Sequence, residues 1–204
     1  MKTDLYNQKY TSYIDKRGIF LRYSLELKAV LKCLNPQATD KILEIGCDKG
    51  RLVKEIKKYS KNVIGIDINR EAVKMAVTSN IVEMDGTDTN FPPNSFDKIY
   101  SCHTIEHISN LNKFFKEIDR ILKPGGIVVI SYPIEIFRGS NALFDAFFVY
   151  QNLLAARELH LHRLNPGKIK KLIVSINLDY LKSEIHFRPF PSYYTVLRKK
   201  IYAI

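Results

Sequence analysis

An α/β fold with a mostly parallel sheet wound on both faces is what this sequence predicts, on three observations. Short apolar runs bounded by turn formers recur: one from Lys41 that ends at Gly46, then Asn62–Asp67, Asn80–Asp85, Phe96–Cys102 and Ile127–Tyr132. Runs of this kind are strands buried on both faces. Between them lie stretches with apolar residues at helical spacing, and such alternation implies parallel pairing through right-handed crossovers. The third observation is the corner Gly46-Cys-Asp-Lys-Gly50, a sharp strand-to-helix turn whose glycines reach backbone angles closed to other residues.

A chain of 204 residues, 46% hydrophobic and 26% charged, has the material for one ordinary domain with a real core. It divides into an N-terminal helical segment (1–35), a cofactor-binding core (36–135), a helical cap (136–175) and a closing strand pair (176–204). No stretch of about 18 uncharged apolar residues occurs, so a soluble, cytoplasmic protein is expected. Cys33, Cys47 and Cys102 are odd in number and form no C-x-x-C pair, which argues against a disulfide framework and against a structural zinc site. The net charge of +11 is uneven: residues 36–135 carry fourteen basic and fourteen acidic side chains, whereas 1–35 carry seven against three and 136–204 eleven against four. The core is neutral, and a partner or acidic substrate would be felt at the flanks.

In order along the chain, Ile19, Phe20, Tyr23, Leu27, Val30, Leu31 and Leu34 predict one or two helices before Asn35-Pro36, with Tyr6, Tyr10 and Tyr13 as candidates for a pocket entrance. After the corner a helix opens near Gly50 on Leu52, Val53, Ile56 and Tyr59, and its N-terminal end and bare N–H groups would face a ligand's negative group. Asp67 ends the second strand, where in nucleotide-binding βαβ units an acid receives both ribose hydroxyls. A short helix spans Arg70–Thr78. The third strand ends in Asp85 beside Gly86, and an acid there could accept an adenine's exocyclic amine. A helix from about Leu111 to Leu122 stops at Lys123-Pro-Gly-Gly126.

Glu44-Ile-Gly-Cys-Asp-Lys-Gly50, Val-Ile-Gly-Ile-Asp67, Asp85, Phe96-Asp-Lys-Ile-Tyr-Ser-Cys-His-Thr-Ile-Glu-His107 and Leu122-Lys-Pro-Gly-Gly126 together resemble the successive motifs of class I S-adenosylmethionine-dependent methyltransferases, in the branch holding quinone, sterol and other small-molecule enzymes. The resemblance covers residues 40–132 in order and at suitable spacing. It departs from the family pattern E-x-G-x-G-x-G at Asp48, which stands at the middle glycine. The family implies a doubly wound sheet of seven strands, mostly parallel with an antiparallel last strand, and S-adenosylmethionine across the strand C-termini. Carried over, Glu44, Gly46, Cys47, Asp48 and Gly50 frame the methionine end, Asp67 and Ile68 the ribose, Asp85 and Gly86 the adenine, and Cys102 or His103 the ammonium. Carboxylates and carbonyls around a cation suit a sulfonium.

Two other readings rank behind this one. His103-x-x-Glu106-His107 also matches the H-x-x-E-H pattern of inverted zinc peptidases, but it follows a buried strand and no third ligand is evident downstream, so no metal is expected. A nicotinamide fingerprint would need glycine at 48 and 51, where Asp48 and Arg51 stand. The acceptor should be decided by the C-terminal part. Residues 141–154 are apolar around most of a helix, either a cap over the strand tips or an addition to the core. Phe144, Phe147, Phe148 and Tyr150 beside Arg157, His160, His162 and Arg163 would suit an apolar acceptor with a polar head, or a membrane surface. His103, His107 and His160 are the candidate general bases. Another helix runs from Asn165 through Val174, and Leu178–Phe187 and Tyr194–Ile204 close the sheet around Pro189 and Pro191. Arg188, Arg198, Lys199 and Lys200 form a basic edge there. The expectation is an enzyme moving the methyl of S-adenosylmethionine to a small, apolar or lipid-like acceptor, with peripheral membrane contact and a homodimer as further partners. An RNA methyltransferase and a non-catalytic cofactor-binding subunit are the alternatives.

Overall fold

The computed structural model describes Ser12, residues 19–187 and residues 191–201. Tyr6, Tyr10, Tyr13, Arg188 and Pro189 lie outside the described residues, as do the last three positions of the expected final strand. Seven strands form one sheet in the order β3-β2-β1-β4-β5-β7-β6. They are β1 (Lys41–Ile45), β2 (Asn62–Asp67), β3 (Ile81–Glu83), β4 (Phe96–Cys102), β5 (Leu122–Pro133), β6 (Leu178–His186) and β7 (Ser192–Lys199). The first five pair in parallel, and β7 runs antiparallel between β5 and β6. The order reverses between β1 and β4, so their C-terminal ends open a crevice where ligands of such sheets bind.

Each strand feeds two cores because successive side chains alternate across the sheet. Leu43, Ile45, Ile99, Val128 and Ile130 pack on one face with Phe114, Phe115 and Ile118 of α4 (Leu111–Ile121) and Ile169 of α7 (Pro166–Leu172). Ile42, Tyr100 and Val129 pack on the other with Val30 and Leu34 of α1 (Ile19–Leu34) and Val53 and Ile56 of α2 (Arg51–Ile56). Asn side chains fix three helix starts: Asn69 caps α3 (Arg70–Lys74), Asn110 caps α4 and Asn165 caps α7, each accepting from free N–H groups of the first turn.

Several boundaries differ from expectation. α2 ends at Ile56, so Tyr59 lies beyond it and is exposed; α3 ends at Lys74, four residues early; and β3 stops at Glu83, leaving Asp85 in the following turn. β5 begins at Leu122 rather than Ile127. Leu122 pairs with Phe96, and the register then shifts, with Gly125 at φ 78, so Pro124-Gly-Gly126 makes an irregular strand entry in place of a loop. The apolar stretch 141–154 is broken. A 3₁₀ turn (Ser140–Ala142) leads into α5 (Leu143–Tyr150), Gln151 takes φ 53, and α6 (Ala155–Leu159) follows. Phe144, Phe147 and Phe148 are more than half exposed, so this segment does not complete the main core; its inward face is the small cluster Ala142, Ala146, Ala155, Ala156 and Leu159. Within the expected basic edge Lys199 is buried, its ammonium donating to the Leu122 carbonyl and Asn94 Oδ1. No described helix is long and apolar enough to cross a membrane.

Candidate functional site

The corner after β1 is held by close approach. Gly46 sits at φ 78, and a Cβ there would lie 2.1 Å from Thr104 Oγ1; a Cβ on Gly86 would lie 2.3 Å from Ile45 Cγ2. Thr104 follows β4 and Gly86 follows β3, so the tips of β1, β3 and β4 meet at one place. Gly50 at φ 74 and Asp48 at φ 48 complete the turn, Asp being among the few side chains that tolerate this region. The bare N–H groups expected here are not bare. Those of Gly46 and Cys47 donate to the Ile66 carbonyl, that of Gly50 to Cys47, and that of Asp48 to Asp67 Oδ2 at 2.7 Å, because the left-handed turn folds them back onto β2 and its tip.

That inward turn is spent on holding Asp67. Its Oδ1 receives the Asn69 N–H at 2.7 Å, so each carboxylate oxygen is oriented by one backbone donor. A carboxylate offers about four acceptor positions, and two remain for a pair of vicinal hydroxyls. Burial raises its pKa to about 6 against those hydrogen bonds. Asp85 is exposed, with Oδ1 accepting from Thr87 N at 2.8 Å. Glu44 lies behind the corner: it is buried, Tyr100 Oη donates to its Oε2 at 2.9 Å, and burial raises its pKa well above the ordinary carboxylate range. The Cys47 sulfur faces β2 at Gly65, and burial pushes its thiol up, which leaves only its backbone toward a ligand. Ile68 and Cys102 are half-buried at the tips of β2 and β4.

The three histidines gather around Glu106. His103, at φ 50, donates its N–H to Ser131 O; its Nδ1 lies 3.5 Å from Glu106 Oε1 and its Nε2 3.5 Å from Glu26 Oε1 and 3.4 Å from Ser192 Oγ. His107 Nδ1 donates to Leu159 O at 2.6 Å, and its ring meets that of His160 edge-on at 4.9 Å. His160 Nδ1 lies 2.8 Å from Glu135 Oε1. Burial lowers His107; burial also opposes charge on His160, but the Glu135 hydrogen bond together with the charges of Glu106, Glu135 and Asp145 raises it. Burial opposes ionisation of Glu106, but the surrounding imidazoles hold it below the usual range. The peptidase arrangement is not formed: only the single 3₁₀ turn Ile105–His107 follows β4, and His103 precedes it, so the two histidines are not a helical turn apart.

These contacts also dock the cap at the strand tips. Leu161 N and His162 N donate to Glu106 O, His162 Nε2 donates to Ile108 O, and Arg163 Nε to Glu135 O. Glu26, Tyr100, Thr104, Glu135 and Ser192 shape the crevice without having been singled out in the sequence. Glu26 carried a readable signal, since it stands four and eight residues before Val30 and Leu34 on the buried stripe of α1 and is itself buried. With Asp48 and Asp67 it brings carboxylates to the crevice, a setting for a cation rather than a phosphate. Oriented Asp67, the Gly86 contact and this acidity fit S-adenosylmethionine.

Residues 43–130 match a family described as "Methyltransferase domain". Sterol 24-C-methyltransferase of Aspergillus fumigatus is 34% identical over 98 residues, 43% of this chain and 26% of that protein. Demethylmenaquinone methyltransferase of Tropheryma whipplei is 29% identical over 174 residues, 82% of this chain and 72% of that protein. In the first three curated relatives the chain spans about a quarter to a third of their length. Among solved structures, a chain of the complex between the Haloferax volcanii Trm112 methyltransferase activator and a methyltransferase superposes with TM-score 0.75 at 16% identity, covering 94% of this chain and 96% of that one. The motif order, the seven-stranded sheet and the sequence match agree: residues 43–130 match a methyltransferase domain, and the chain has the fold of class I S-adenosylmethionine-dependent methyltransferases.

Proposed function

We propose that this chain methylates a small, apolar, lipid-like acceptor. The observation that carries the reading is the cap, which is tied to the ends of β4 and β5 and turns Ile136, Phe137, Phe147, Leu153 and Leu154 outward, each about half exposed or more. Exposed apolar surface concentrated at a binding crevice marks a place where apolar matter docks. The relative aligned over 82% of this chain is named for a quinone acceptor, which supports the same reading.

When bound, S-adenosylmethionine supplies a methyl group on a sulfonium. The chain's own part is positioning and electrostatics. Asp67 would accept from both ribose hydroxyls, Asp85 would accept from the adenine amine, and Glu26 and Asp48 would favour the cation, with Glu44 behind the corner as part of its frame. Of the three histidines, His107 and His160 are committed to the cap through Leu159 and Glu135. His103 precedes Thr104, which packs on Gly46, and we assign it to the acceptor's proton.

The test is transfer of labelled methyl to a short-chain quinol, a sterol, phosphoethanolamine and bulk RNA in parallel. Label on the quinol or the sterol supports the reading. Label on RNA, or none on any acceptor despite cofactor binding, favours an RNA enzyme or a non-catalytic subunit and overturns it.

A further inference from the structure

We propose that Glu106, His107 and His160 bind one divalent cation of borderline softness, zinc in the first instance, at the junction of β4 and the cap. One ligand atom from each lies within 4.8 Å of the other two. Two imidazoles and a carboxylate are a donor set for zinc and its first-row neighbours, not for calcium or magnesium, which prefer all-oxygen shells. The proposal is independent of which acceptor is methylated.

Two further features point to a ligand. Both histidines already have the outer hydrogen bond that metal-ligating histidines use: Nδ1 of His107 goes to the Leu159 carbonyl at 2.6 Å, and Nδ1 of His160 to Glu135 Oε1 at 2.8 Å. Such partners fix the tautomer with the proton on Nδ1, so Nε2 is the nitrogen that would ligate. Glu106 and Glu135 are both buried, and Oε2 of each lacks a hydrogen-bond partner among the described residues. Buried carboxylate oxygens normally find one; a cation at Glu106 supplies it directly and offsets the negative charge of both groups.

The ligands come from two segments far apart in the chain, the 3₁₀ turn after β4 and the residue that follows α6, which already meet at Glu106 O and Leu159 O. Occupancy would therefore staple the cap to the end of β4, and three protein ligands leave a fourth position of a tetrahedron for water or an acceptor oxygen. The sequence hid this set, because its H-x-x-E-H pattern drew attention to His103 as the partner of His107, whereas the fold supplies His160 from the cap.

The experiment is calorimetric titration of zinc, in competition with a chromophoric chelator, into full-length chain stripped with EDTA. One zinc per chain is expected, with a rise in melting temperature, and cobalt in its place should give the intense visible bands of a four-coordinate site. Glu106→Gln and His160→Gln should abolish stoichiometric binding, and Glu135→Gln, at a residue that orients His160 without being a ligand itself, should weaken it about 10- to 100-fold. His186→Gln should leave it unchanged, since His186 lies outside the cluster. Wild type that takes up no stoichiometric zinc overturns the proposal, and so does unchanged uptake by His160→Gln or Glu135→Gln protein with native circular dichroism. Those two variants act independently, so misfolding of Glu106→Gln would not shield the proposal.

Discussion

Asp67 is the residue at which the fold and the proposed ribose contact meet. Its oxygens are oriented by the N–H groups of Asp48 and Asn69, and burial lifts its pKa to about 6. A raised folded pKa means that its contribution to the stability of the cofactor-free protein is complete below about pH 4 and lost as pH rises through about 6. Cofactor binding has the opposite sign, because ribose hydroxyls donate to the ionised form. Affinity for S-adenosylhomocysteine, measured by calorimetry between pH 5 and 8, should fall as pH drops below about 6. In Asp67→Asn that dependence should vanish and binding should be weaker by about 1–3 kcal/mol; a wild-type affinity flat across this range would refute the ribose role. Gly46 gives a second residue-scale test. A Cβ there meets Thr104 Oγ1 at 2.1 Å and Cγ2 at 2.4 Å on top of a left-handed φ, so Gly46→Ala should lower stability in urea by ~2 kcal/mol or more. Thr104→Ala should restore part of that loss, since it removes the two nearest atoms and leaves the strain, and a double-mutant cycle reads the coupling.

At the scale of elements, what was legible follows from which signal each element carries. α4 was plain because Leu111, Phe114, Phe115, Ile118 and Ile121 keep one helical face and Asn110 caps it. The strands were plain because their apolar runs are short and bounded. The break in the cap was not legible: Gln151 at φ 53 ends α5 where the sequence offers neither Gly nor Pro, and the left-handed cap is closed by the N–H groups of Gln151 and Asn152, which donate to the Phe147 and Ala146 carbonyls. Gln151→Gly should accordingly stabilise the protein, by ~0.5–1 kcal/mol once the entropy of glycine is set against relief of the left-handed strain. A melting temperature that falls instead would mean that the Gln151 side chain itself holds the cap. The site was legible in part for the same kind of reason. Asp67, Gly46 and Gly86 stand at strand ends that the alternation locates, whereas Glu135 and His160 reach the Glu106 cluster only through the cap's fold. Glu26 stood in view as a carboxylate on a buried stripe.

For the whole molecule, the decisive geometry is that separate strands bring one group each to a common point. Thr104 after β4 packs on Gly46 after β1, Gly86 after β3 packs on Ile45, and Asp67 at the end of β2 holds the Asp48 turn. A ligand that spans these tips binds the folded chain and has no counterpart in the unfolded one, so it must raise the melting temperature. At a concentration about 100 times its dissociation constant the stabilisation is about 2.7 kcal/mol, worth about 5–10 °C for a chain of this size. S-Adenosylhomocysteine should produce a shift of that order, and NAD at the same concentration should produce none, because Asp48 and Arg51 occupy the positions at which a pyrophosphate needs glycine. On the proposed contacts the shift should be insensitive to added salt, since Asp67 and Asp85 would meet hydroxyls and an amine rather than a charged group, while the excess positive charge sits in the flanks. A stabilisation by NAD equal to that by S-adenosylhomocysteine would break the assignment of this crevice to an adenosyl amino-acid cofactor, whatever the acceptor proves to be.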